Sequence, residues 1–99
     1  MKTAKKMARI TSWSTGHASW PPRQTDDGSE NVFVEGLRVH RVGDTWPVHC
    51  NAAGECHIGI TVTGSKTVFC NGKQVARIGD DVDCSEKIKT GARTVYVGD

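Results

Sequence analysis

Residues 28–44 read GSENVFVEGLRVHRVGD, and residues 64–80 read GSKTVFCNGKQVARIGD. Aligned without a gap, nine of the seventeen positions are identical: Gly, Ser, Val, Phe, Gly, Val, Arg, Gly and Asp. A truncated third copy, GARTVYVGD, occupies 91–99. The triplets Val32-Phe33-Val34, Val68-Phe69-Cys70 and Val95-Tyr96-Val97 stand at matching positions and favour strands through branching or aromatic bulk. Glu35-Gly36 and Asn71-Gly72 follow as two-residue hairpin turns. Return strands are predicted over 38–42 and 74–78, each closed by a Gly-Asp that breaks the strand and opens a loop. No window carries a sustained helical period. The chain therefore reads as all-β, made of short hairpins with long connections. The longest connection, 45–63, exceeds an inert loop in a small domain and needs an anchor other than a hydrophobic core.

Composition explains why an anchor is needed. The chain has 99 residues, of which 36% are apolar, with 11 Gly and 3 Pro. One domain of this size buries a modest share of its surface and commonly needs a disulfide, a metal or a partner. Residues 1–10 form an N-terminal segment, and 11–99 a single domain. The net charge is +2, from 13 Lys and Arg against 11 Asp and Glu. Basic residues cluster only at Lys2, Lys5, Lys6 and Arg9, too weak a footprint for nucleic acid. No apolar run is long enough to span a membrane. The positive start of the chain lacks the apolar stretch of a signal peptide, so synthesis in the cytoplasm without that export route is expected.

Four histidines and four cysteines remain to be explained. After Asp44, His49 lies at plus five; after Asp80, Cys84 lies at plus four. Taking Ser12-Trp13 as the end of a preceding half-repeat puts His17 at plus four from Trp13. Three equivalent loops thus each present a metal-capable side chain, and His57 supplies a fourth. His40 fails the same test, because Ala76 is its counterpart. Imidazole and thiolate in a closed set of four suit structural, tetrahedral Zn²⁺, which would tie the loops together in place of a larger core.

The stretch GKQVARIGD, the repeated GS-x-x-V-F, the loops from Gly-Asp to His or Cys, and STGH…PPR together resemble the PAAR-repeat family over roughly 11–99. The Pro-Ala-Ala-Arg signature is not present as such: Gln74-Val75-Ala76-Arg77 stands in its place, and Arg38-Val39-His40-Arg41 in the first copy. The resemblance implies a small cone of short β-hairpins with pseudo-threefold repeats and one zinc ion near the apex. Its ligands would be His17, His49, His57 and Cys84. It also implies a non-enzymatic, membrane-piercing tip that caps the trimeric β-helical central spike of a contractile injection machine, one tip per trimer, and meets the target envelope transiently. A phage baseplate is the expected setting, which places the protein in the virion, because the chain is short and carries no toxin extension. A type VI secretion spike is the alternative. A small zinc hydrolase, with Glu55 or Asp83 as its acid or base, would need an open fourth metal position and a cleft.

The remaining cysteines divide into two cases. Cys50 and Cys56 lie just inside His49 and His57 and could ligate the metal, form a disulfide or stand unbonded. A reducing cytoplasm opposes the disulfide at birth, and later exposure permits it. Cys70 replaces Val34 in the repeat and reads as a small buried hydrophobe. Phe33, Phe69 and Tyr96 alternate with aliphatic flanks. One of these two sets is expected inside, the other on a flat apolar base that meets the spike.

Overall fold

The turn residues of the repeats adopt the conformations their hairpins demand. Glu35 and Gly36 have φ of 51° and 81°, and Asn71 and Gly72 of 54° and 79°, the left-handed pair of a type I′ turn. In the computed structural model, which describes residues 4–99, these turns join β2 (Phe33–Val34) to β3 (Leu37–Arg38), and β6 (Phe69–Cys70) to β7 (Lys73–Gln74). The third copy supplies β10 (Tyr96–Val97), which pairs antiparallel with β1 (Lys5–Lys6). Residues 5–10 thus complete the truncated repeat. The tripeptide Ala8-Arg9-Ile10 repeats Ala76-Arg77-Ile78, and Ala8 is fully buried.

The return strands are shorter than 38–42 and 74–78, because the chain leaves its own hairpin to bond with the other repeats. Ala8 N donates to Ala76 O (2.9 Å), Ala76 N to His40 O (3.0 Å) and His40 N to Ala8 O (3.1 Å), closing a ring of backbone hydrogen bonds. A wider ring runs from Ile10 N to Arg38 O, Val42 N to Gln74 O and Ile78 N to Lys6 O. Close approach explains the glycine that opens each repeat. A Cβ on Gly28, Gly64 or Gly91 would lie 2.6–2.7 Å from the carbonyl oxygen of Val39, Val75 or Met7.

The interior divides into two clusters. One holds Val34, Val39, Cys70, Val75, Ala92 and Val97; Cys70 is buried, as its place in the repeat implied. The other holds Ala8, Trp46, Ala76, Val82 and Ile88, with Cys84 packed against it. Strand alternation needs one adjustment. Val34, Cys70 and Val97 point inward, but Val32 (40% exposed) and Val68 (37%) do not, because the strands begin only at Phe33 and Phe69.

The 45–63 segment is not an irregular loop. β4 (Thr45–Cys50) and β5 (Cys56–Ile60) form an antiparallel hairpin whose register sets His49 opposite His57 and Cys50 opposite Cys56. Trp46, 1% exposed, anchors it in the core and donates from Nε1 to Thr61 Oγ1 (2.9 Å). A short pair, β8 (Asp81–Val82) with β9 (Glu86–Lys87), completes the fold. Among the described residues there is no helix, and the molecule measures 41 × 31 × 23 Å.

Candidate metal centre

Each donor loop starts from a repeat end fixed in the same way. Asp44 Oδ2 accepts from Arg41 N (2.8 Å) and Nε (2.9 Å); Asp80 Oδ2 accepts from Arg77 N (2.7 Å) and Nε (3.1 Å). In the N-terminal copy Ser12 Oγ accepts from Arg9 N (3.1 Å). The counterpart of Gly-Asp is therefore Thr11-Ser12, not Ser12-Trp13, and Thr11 adopts the positive φ (72°) that glycine takes at 43 and 79. The corrected register places His17 five residues past Ser12, matching His49 past Asp44.

All four expected ligands come together. One donor atom from each of His17, His49, His57 and Cys84 lies within 4.8 Å of the others. His57 Nε2 is 2.8 Å from His49 Nε2 and 3.1 Å from His17 Nε2. His49 Nδ1 is 2.8 Å from Pro21 O. A carbonyl only accepts, so Nδ1 carries the proton and Nε2 of the neutral ring faces the cluster with a bare lone pair. Burial pushes the His49 pKa down, which keeps the ring neutral. Three ring nitrogens aimed at one point leave lone pairs that hydrogen bonds among themselves cannot all satisfy; a cation can.

Sulfur completes the set. Burial, reinforced by Glu86 beside it, pushes the Cys84 thiol up, so without a cation the sulfur keeps its proton. A bound divalent ion reverses that balance and deprotonates the ligand. Three imidazole nitrogens and one sulfur suit a borderline-soft, tetrahedral ion. The cluster could hold a metal.

Cys50 and Cys56 take no part in this set. They are joined as a disulfide with Cα atoms 4.2 Å apart, on the exposed face of β4 and β5, while His49 and His57 turn inward. Of the three readings left open for this pair, the disulfide stands. The repeat aromatics are exposed together: Phe33 at 58%, Phe69 at 56% and Tyr96 at 55%.

Position in the repeat did not mark Trp20, Arg23 or Glu86. Trp20 stacks on His17 with ring centroids 4.9 Å apart and donates from Nε1 to Glu55 O (3.0 Å), covering the cluster. Arg23 and Glu86 form a buried ion pair beside Cys84 (2.6 Å). Burial works to raise the Glu86 carboxyl, and hydrogen bonding, including that from Arg23, holds it below the usual range. The one signal in the sequence was Arg23 at the end of the PPR stretch.

A family model described as the PAAR motif matches residues 15–90 and, a second time, 57–99. No curated protein matches the chain. PAAR motif proteins are structural, and they cap the central spike of contractile injection systems. The first match contains all four donors, and the second runs through the last two repeat copies to Asp99. On those two matches, the chain belongs to the PAAR motif family.

Proposed function

We propose that this protein is a structural piercing tip on the central spike of a contractile injection machine, pinned by one Zn²⁺ through His17, His49, His57 and Cys84. The observation that carries the reading is the convergence of three nitrogens and one sulfur from three separate segments of a PAAR motif chain. Four protein donors close a zinc site and leave no position for an activated water, so the metal's role is mechanical. It lets a domain with a small core bear load.

Partner geometry follows from the repeats. The β2–β3 and β6–β7 hairpins and the β1–β10 pair are linked by a ring of backbone hydrogen bonds, and each exposes one aromatic side chain, Phe33, Phe69 or Tyr96. Exposed apolar groups of this kind suit an interface, and one chain with approximate threefold character fits the blunt end of one trimeric β-helical spike. The other end meets the target envelope transiently. The machine we propose is a phage baseplate, with the protein carried in the virion; genes for a type VI secretion sheath beside this one would move it to a secreted spike.

Metal analysis and spike binding test the two halves separately. The purified protein is expected to carry one zinc per chain. Phe33→Ser, Phe69→Ser and Tyr96→Ser are each expected to fold and to lose binding to the spike's end. A metal-free preparation that melts unchanged overturns the zinc assignment, and full binding by all three variants overturns the docking face.

A further inference from the structure

Arg23 touches every segment that supplies a metal donor. The residue is 6% exposed, and its guanidinium spends its hydrogens on four different groups. Nε and Nη2 donate to Glu86 Oε1 (2.9 and 2.6 Å), and Nη2 also donates to Cys84 Sγ (3.2 Å). Nη1 donates to Pro47 O and to His57 O (3.3 Å), two carbonyls of the hairpin that carries His49 and His57. Its backbone is paired with the third segment: Arg23 N donates to Ser14 Oγ (3.1 Å), and Ser14 N donates to Arg23 O (2.8 Å), three residues before His17.

Strand β5 is built to admit this side chain. Gly59 has an ordinary φ, yet a Cβ there would lie 2.5 Å from Arg23 Nη2 and 2.8 Å from Val82 Cγ1. Glycine at 59 is thus the opening through which the guanidinium reaches both carbonyls and the sulfur. Glu86, 1% exposed, offsets its charge.

We infer that Arg23 is a positioning residue for the metal donors: it fixes Cys84 Sγ and the His57 strand relative to the His17 loop, and Gly59 is the space that lets it do so. The inference rests on the metal reading above. A planar fork of five donors can hold these groups at once, whereas a lysine ammonium is a single point that cannot span them. Groups that orient metal ligands from behind typically change affinity by about 10–100-fold when replaced.

The test is Co²⁺ titration of the metal-stripped full-length chain, read as affinity, as the thiolate-to-cobalt absorption band and as the rise in melting temperature on loading. Arg23→Lys keeps the charge, and Gly59→Ala leaves Arg23 in the chain but presses a methyl group on its guanidinium and on Val82 Cγ1. Both are expected to bind Co²⁺ on the order of 10–100-fold more weakly, with a weakened or shifted thiolate band and a smaller rise in melting temperature. A role confined to packing would lower the melting of stripped and loaded protein equally and leave affinity and band unchanged; that result overturns the inference. If Arg23→Lys does not fold, Gly59→Ala decides alone by the same criteria. A wild-type chain that shows no thiolate band with Co²⁺ overturns the metal reading itself, and this inference with it.

Discussion

Replacing Cys50 and Cys56 together with Ser removes a covalent link across the tip of the β4–β5 hairpin and leaves the donor cluster untouched. The bridged residues are six apart in sequence. Chain entropy for so short a closed loop gives about 2.3 kcal/mol of stabilisation at 25 °C. For a domain of this length that corresponds to roughly 10 °C in melting temperature. Both sulfurs lie on the exposed side of their strands, opposite in facing to His49 and His57. Metal content is therefore expected to stay at the wild-type value. Thermal unfolding of both proteins, with metal analysis of the same samples, reads the two quantities together. A double variant that melts with the wild type refutes the loop-entropy argument. One that loses its metal refutes the donor set and puts the cysteines in it.

Removing a donor acts on a different scale. Cys84→Ser or His49→Ala forfeits ligand-linked folding energy on the order of 10 kcal/mol, against a total stability of about 5–15 kcal/mol for a small domain. Each variant is expected to be largely unfolded or aggregated, as read by circular dichroism and zinc content, and a well-folded, zinc-loaded Cys84→Ser counts against the assignment. His40 predicts a pH dependence that needs no metal. It is fully buried, with Nδ1 2.7 Å from Asp27 O and Nε2 2.7 Å from Thr61 Oγ1, and burial pushes its pKa below the ordinary value. The unfolded chain therefore takes up this proton first, at about pH 6.5. The His40 contribution to stability is present above that pH and declines as pH falls below it. Urea unfolding across pH 7 to 5 is expected to show a fall that is smaller in His40→Gln, and equal slopes would remove His40 as the cause.

Some of this was legible locally. The Gly-Ser openings, the strand triplets and the Glu35-Gly36 and Asn71-Gly72 turns are short-range features, so a hairpin repeat could be read from adjacent residues. Counting from Gly-Asp led to His49 and Cys84, because the loops leave the body from equivalent points. A count from Ser12-Trp13 reaches His17 only through a register one residue off. The serine at 12 performs for Arg9 N what aspartate performs for Arg41 N and Arg77 N, and a hydroxyl standing for a carboxylate leaves no repeat in the residue letters.

Tertiary structure decided what distant segments do to one another. Lys5–Lys6 becomes the partner of Tyr96–Val97 because a two-residue strand carries almost no preference of its own and pairs where the ring of Ala8, His40 and Ala76 brings it. The segment 45–63 becomes a hairpin because Trp46 has a core site to fill and Gly59 sits where Arg23 must pass. Arg23 itself lies 61 residues from Cys84 and 63 from Glu86 in the chain. A residue that acts by bridging loops has no signature until those loops meet. Three donors can be counted from the repeat ends and His57 cannot, and the placement of all four depends on buried hydrogen bonds that exist only in the folded chain.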